Sequence, residues 1–258
     1  LDERWLTTLR EFGGLQSYPS RRKDPVPADY STGSVGLGPT APIWAAIARR
    51  YVGGLHGEAE LGRQYCLLGD AELDEGAIWE AVLDPQVKDL GEIVWIVDLN
   101  RQSLDRVLPH NSAGRFEGLF EAAGWQVLVA KYGDAAEELF REPGGEALRA
   151  RIDDMSNPEY QRLLRCPVHE LRERLPGEGP EATALRSFIA QVDDARLDTA
   201  FRSLGGHDFG AIRRAFDAID DSRPTVILAY TLKGYGLPTE GHPQNHSSLL
   251  SLKQFDEL

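Results

Sequence analysis

The chain has 258 residues, 41% hydrophobic and 27% charged, a balance that implies a globular protein of one or two domains with a large core. Its formal net charge of -13 argues against a general nucleic-acid binder, because nothing neutralises phosphates in bulk, although a local anion site stays compatible with it. The best apolar run, "IVWIV" at 93–97, suits a buried strand and not a membrane span, residues 1–30 lack the apolar core of a signal peptide, and Cys66 and Cys166 give neither a disulfide framework nor zinc spacing, so a cytoplasmic location is expected.

The chain starts at Leu1 and its only methionine is Met155. A processed product, a fragment or the ordered part of something longer is therefore expected, and with it an incomplete site. Residues 2–12 read as the end of a helix. Residues 13–39 are rich in Gly, Pro and Ser without periodicity, and long loops of that kind are often functional. "TAPIWAAIARRYV" (40–52) has helical spacing, with Ile43, Ala46, Ile47 and Val52 on one face and Thr40 as a plausible N-cap. "QYCLLGD" (64–70) reads as a buried strand, "DEGAIWEAVLD" as a helix with Asp74 as candidate cap, "EIVWIVDLN" (92–100) as a second strand, "GRFEGLFEAAG" (114–124) as a helix and "WQVLVAKYG" (125–133) as a third strand.

Strands alternating with helices predict an α/β fold, a parallel sheet with helices on both faces. Residues 134–204 break the pattern. They are charged, carry short helical stretches and contain Pro143, Pro158, Pro167, Pro176 and Pro180, and they read as a helical excursion within one domain, 1–258. Asp208 is expected to cap a helix bearing Ile212 and Phe216, and "RPTVILAYTLKGYG" (223–236) reads as a fourth strand ending in a glycine-rich turn. A loop with His242 and His246 and a polar helix close the chain. No internal repeat is visible.

Ligands of open parallel sheets sit at the carboxyl ends of the strands. Those ends are "GD" at 69–70, "DLNRQ" at 98–102 and "TLKGYG" at 231–236. If the first two strands are neighbours, Asp70 and Asn100 share one crevice. A carboxylate, an amide oxygen and a main-chain carbonyl form a half-shell of hard oxygen ligands, which suits magnesium completed by phosphate and water. Gly69 permits a tight turn, and the helix after Pro39 offers free amides to a phosphate. Taken alone, Asp70 reads equally as a turn or capping aspartate, and the acids at 72–75 read as a solvated helix start. Cys66 reads as a small core residue, His207 as a structural residue fixing the turn before its helix, and His56, His110 and His169 as solvated.

The series "LQSYP", "TGSVGLGP", "GDAELDE", "NRQSLDR", "GLFEAAGW", "GGHD" and "VILAYTLKGYG" resembles, in the same order, "LSSYP", "TVSMGLGP", "GDGEMDE", "NLQRLDG", "GIFEGAGW", "GGHD" and "VILAHTIKGYG". Those segments belong to the homodimeric pyruvate dehydrogenase decarboxylase component, within the thiamine diphosphate enzyme superfamily. "NPEYQRLL" and "ELRERLPG" in the excursion also have counterparts, whereas transketolases share the first motif but not the whole series. The resemblance implies the diphosphate-binding domain of a thiamine diphosphate- and Mg2+-dependent enzyme. By that resemblance Asp70, Asn100 and the main-chain carbonyl of Gln102 would be its metal ligands, Gly69, Ala71 and Glu72 would line the diphosphate site, and Tyr18, Val35, Asp98 and Leu104 match positions near the cofactor. Lys233 matches a lysine facing the active centre, and His246, aligned across a two-residue deletion, resembles a histidine on a mobile loop that closes over it.

Three positions depart from the family. Ala71 replaces a glycine, Asp98 an amide and Val35 a methionine. The resemblance also implies a pyrimidine-binding domain, with its activating glutamate, that these 258 residues do not contain. A partner chain or the remainder of a longer one is expected, in a homodimer or heterotetramer, with a 2-oxo acid or a ketose as small-molecule substrate and neither nucleic acid nor membrane as partner. Three functions follow in order: cleavage of a pyruvate-like 2-oxo acid with acyl transfer, transketolase-like two-carbon transfer, and a non-catalytic assembly subunit.

Overall fold

The structure is a computed structural model that describes residues 2–26, 28–57, 62–103, 106–107 and 113–258. Leu104 and His110 lie outside the described residues. A 3-10 turn at Glu3–Thr8 stands where the end of a helix is expected. Helix α1 spans Leu37–His56, strand β1 Gln64–Gly69, a 3-10 turn Asp70–Asp74, α2 Gly76–Val82 and β2 Ile93–Leu99. A short antiparallel pair follows, β3 (Gln102–Ser103) and β4 (Arg106–Val107), with Gln102 opposite Val107. Then come α3 (Ala113–Ala122), β5 (Gln126–Ala130) and six short helices: α4 (Asp134–Phe140), α5 (Gly145–Asp154), α6 (Asn157–Leu163), α7 (Val168–Arg174), α8 (Ala182–Ile189) and α9 (Asp194–Arg202). Helix α10 (Phe209–Asp217), β6 (Thr225–Tyr230) and α11 (Leu252–Asp256) complete the chain. Four strands form a parallel sheet in the order β1-β2-β6-β5, so the expected α/β class is found.

The chain divides into two compact units, one of residues 1–96, 120–126 and 220–226, the other of residues 97–119, 127–219 and 227–258. In the first, α1 packs on β1 and α2, burying Ile43 and Ala46. Val52, expected on the same face, is exposed. The helix starts three residues before Thr40, because Gly36 takes φ +88° and serves as N-cap. Only glycine adopts that backbone freely, and a Cβ there would stand 3.1 Å from Glu75 Cβ. Thr40 lies inside the helix and its hydroxyl donates to the Leu37 carbonyl at 3.2 Å. Asp74 likewise ends the 3-10 turn, and Glu75 occupies the N-cap of α2 without a side-chain cap bond. Strand β1 buries Cys66 and Leu68 but exposes Tyr65 and Leu67, as its place at the end of the sheet order allows.

The aromatic centre of this unit is Phe120, whose ring centroid lies 5.3 Å from Trp79 and 5.4 Å from Trp125. Trp95 packs 4.8 Å from Trp125 and meets Phe120 edge-on. Gly91 is required by a close approach, since a Cβ would fall 1.6 Å from the Asp221 carbonyl oxygen.

The second unit holds the helical excursion. Two of its five prolines start helices, Pro158 in the first turn of α6 and Pro167 as the N-cap of α7, and the other three lie between helices. Ser156, Asp193 and Asp208 cap α6, α9 and α10 by accepting from the amides of Glu159, Arg196 and Ala211. Leu139, Leu148, Leu163, Leu171, Leu185, Leu197 and Phe201 from these helices share one core with Leu99, Tyr230 and Leu232. The excursion therefore packs directly on the carboxyl ends of β2 and β6.

Phe120→Ala is expected to lower unfolding stability by about 3–5 kcal/mol, since the ring is fully buried and touches three indoles. A lower urea midpoint with an unchanged slope checks this, and a wild-type midpoint contradicts it.

Candidate functional site

In the first unit, β1 ends at Gly69 and the chain turns at once into Asp70–Asp74. The Asp70 carboxylate is withdrawn from water, at 5% exposure. Nothing lies within 4 Å of where a Gly69 Cβ would be, so space is open beside the turn. Glu72 braces it: one carboxylate oxygen accepts from the Gly69 amide at 3.4 Å and the other from the Gly36 amide at 3.2 Å. The strand end is thereby tied to the "SVGLGP" loop at the head of α1. Asp74 and Glu75 are exposed, Leu73 is buried, and Trp79 Nε1 donates to the Leu73 carbonyl at 2.7 Å. Ala71 is half-buried, while Tyr18 and Val35 are exposed on the N-terminal segment.

In the second unit, β2 ends in a buried polar turn. Asn100 Nδ2 donates to Asp98 Oδ2 at 3.4 Å, and Asn100 Oδ1 accepts the Gln102 amide at 3.0 Å. The Thr231 hydroxyl donates to Asp98 Oδ1, and the Thr231 amide donates to the Leu99 carbonyl at 3.3 Å. The carboxylate that departs from the family is thus engaged on both oxygens, and it sets which end of the Asn100 amide is the acceptor. Asn100 is 8% and Gln102 2% exposed, and neither amide atom of the Gln102 side chain has a hydrogen-bond partner among the described residues.

The end of β6 is organised by His207. Its Nε2 accepts the Leu232 amide at 2.7 Å, and its ring stacks on Tyr235 with centroids 3.8 Å apart. The expected structural role is found, but its target differs: His207 fixes the turn after β6 as well as ending the 3-10 turn at Gly205–His207. Gly206 permits this, because a Cβ there would fall 2.5 Å from the Tyr230 carbonyl oxygen. One residue beyond Leu232, Lys233 Nζ lies 3.4 Å from His246 Nδ1. Asn245 Nδ2 donates to the Lys233 carbonyl at 2.7 Å. Lys233 and His246 are therefore brought together, with both side chains reachable by solvent.

Among the described residues no three His, Cys, Asp or Glu side chains cluster as metal ligands. The donor types present, a buried carboxylate at Asp70 in the first unit and the Asn100 amide oxygen in the second, would suit a hard cation completed by phosphate and water. Buried polar atoms are normally partnered, and the Gln102 side-chain amide has no partner among the described residues. Thr231 and Asn245 were not singled out by sequence reasoning, and His207 was read only as a structural residue. Thr231 directly follows β6 and Asn245 directly precedes His246, whereas His207 lies far in sequence from both.

A family model described as the transketolase, thiamine diphosphate binding domain matches residues 6–144. The pyruvate dehydrogenase E1 component of Escherichia coli strain K12 is 32% identical over 238 residues, covering 90% of this chain and 26% of the relative. That of Corynebacterium glutamicum is 30% identical over 257 residues, covering 96% and 27%. The chain spans about a quarter of the length of these relatives. Among solved structures, Pichia stipitis transketolase in complex with sedoheptulose-7-phosphate superposes with TM-score 0.58 at 17% identity, covering 98% of this chain and 28% of that one. Transketolase from Leishmania mexicana gives 0.53 at 18%, covering 94% and 26%. At these identities the structures share the fold.

Burial lowers the His207 pKa from its ordinary value of 6.5, opposed in part by the charges of Asp98 and Glu240. The unfolded chain therefore takes up this proton at higher pH than the folded one. The His207 contribution is intact above about pH 6.5 and is lost as pH falls below it. The denaturation midpoint is expected to fall on acidification below about pH 6.5, and His207→Gln, which does not titrate, to remove part of that slope. An identical pH slope in the variant contradicts this.

Proposed function

The chain belongs to the transketolase thiamine diphosphate binding domain family, and on that premise we propose that it supplies the diphosphate- and magnesium-binding half of an active site that cleaves a pyruvate-like 2-oxo acid and transfers the acyl unit. The observation that carries the reading is the buried turn after β2, where Asp98 fixes the Asn100 amide and the Gln102 side-chain amide, at 2% exposure, has no partner among the described residues. Asp70, which precedes Asn100 by 30 positions as the family motif requires, is the carboxylate ligand. Asn100 Oδ1 and the main-chain carbonyl of Gln102 complete the protein's share of the metal. Gly69 and Ala71 border the diphosphate. Glu72 acts indirectly, by holding the Gly69 turn against the Gly36 loop. Tyr18 and Val35 close the N-terminal side, and Leu104 belongs to the same motif.

Thiamine diphosphate, when bound, supplies the carbanion chemistry that breaks the carbon–carbon bond. The residues of this chain bind and orient. Lys233 places a positive charge for the carboxylate of the 2-oxo acid. His246, accepting from Lys233 at Nδ1, keeps its proton at Nε2 for donation toward the substrate. The rest of the site comes from a pyrimidine-binding domain in a longer chain or a partner chain, in a dimeric or heterotetrameric assembly. The choice of a 2-oxo acid over a ketose is supported by the identity of 30–32% to pyruvate dehydrogenase E1 components.

Calorimetry on the full-length protein is expected to show thiamine diphosphate binding that requires Mg2+. Asp70→Ala and Asn100→Ala are each expected to weaken it by about 100-fold or more while melting stays cooperative. Absence of heat in the wild type, or wild-type affinity in Asp70→Ala, overturns the reading. Turnover of pyruvate is expected, and turnover of a ketose phosphate alone overturns the substrate assignment.

A further inference from the structure

Arg101 sits between two of the proposed metal ligands, where the motif quoted above has leucine. It is one of two non-glycine residues with positive φ, at +62°, among the described residues. A left-handed backbone is strained for a side chain with a Cβ, and such strain persists only where the surroundings over-determine it. The surroundings here are aromatic. The guanidinium carbon lies 4.3 Å from the Tyr160 ring centroid and 5.8 Å from that of Tyr230, and the side chain is 9% exposed. The Tyr160 hydroxyl donates to the Phe201 carbonyl at 3.1 Å. Tyr160 belongs to α6 and Phe201 to α9, so the excursion reaches the turn after β2 through one side chain. Asp153 lines the same small cavity and is held there by Lys131 and the Tyr132 hydroxyl.

The geometry points to Arg101 as a positioning residue that holds the Asn100–Gln102 turn in its ligand-presenting conformation by clamping it onto Tyr160 of the helical excursion. A planar, delocalised cation stacked on an aromatic face is attracted to it and resists rotation. The left-handed residue then fixes the backbone on either side, including the Gln102 amide bound to Asn100 Oδ1. The excursion thereby gains a function beyond covering the strand ends. The ligand-presenting part of the inference rests on the cofactor reading above.

The test compares Arg101→Leu, Tyr160→Leu and the double variant in the full-length protein, with Arg101→Lys as a milder variant that keeps charge but loses the planar face. Two readouts are taken: hydrogen exchange of the Gln102 amide, normalised to the β6 amides of Ile227 and Leu228, and calorimetric affinity for thiamine diphosphate with Mg2+. Each single leucine variant is expected to speed Gln102 exchange by about tenfold or more relative to β6, with the double variant no faster than the singles. Cofactor affinity is expected to fall in the same three proteins, and Arg101→Lys to fall between. Unchanged relative exchange at Gln102 overturns the inference whatever the cofactor does. Faster exchange with wild-type affinity overturns the ligand-presenting role. Faster exchange in a protein whose wild type binds no cofactor leaves the clamp standing and overturns the cofactor reading instead.

Discussion

The Asp98 carboxylate is the hinge of the site. It accepts from Asn100 on one oxygen and from Thr231 on the other, so the turn after β2 is fastened to the residue that follows β6. A carboxylate is an acceptor only. It therefore forces the NH2 group of Asn100 toward itself and leaves Oδ1 for the Gln102 amide and for a ligand. Aspartate in place of the family's amide removes an ambiguity that two facing amides would retain. In local terms the carboxylate is an orienting device.

A second fastening lies around His207. The imidazole accepts the Leu232 amide and stacks on Tyr235, while Asn245 ties the Lys233 carbonyl from the other side. Lys233 and His246 are placed by backbone constraints on both flanks, and not by burial. That combination suits groups that must be exposed to meet a substrate yet must not wander. Glu72 does the corresponding work in the first unit, bracing Gly69 against Gly36. In both units a polar side chain satisfies backbone amides that a loop would otherwise leave to water.

The strands were legible because their apolar runs end abruptly in Gly-Asp, Asp-Leu-Asn and Thr-Leu-Lys-Gly. The edge position of β1 was not, since "QYCLLG" is apolar at nearly every position and period-two exposure of Tyr65 and Leu67 leaves no mark in such a run. Thr40 has the chemistry of an N-cap, but Gly36 has the backbone for it, and tertiary contact with Glu75 decides for the glycine. Asp74 lost its expected place because the segment before α2 closes into a 3-10 turn. Asp70, Asn100, Lys233 and His246 are proposed as site residues from motif and order. The contacts of Thr231, His207 and Tyr160 were not legible, because their partners are 133, 25 and 41 residues away and no local pattern encodes such distances. Gly206 is the nearest thing to a signal, marking a backbone that comes too close for any side chain.

Asp70 and Asn100 are the proposed ligands of one metal ion. Anomalous scattering from crystals of the full-length protein grown with thiamine diphosphate and Mn2+ in place of Mg2+ tests this assignment most directly. A manganese peak is expected within about 2.2 Å of both an Asp70 carboxylate oxygen and Asn100 Oδ1. A peak that touches neither, or cofactor bound with its diphosphate away from both residues, would contradict it.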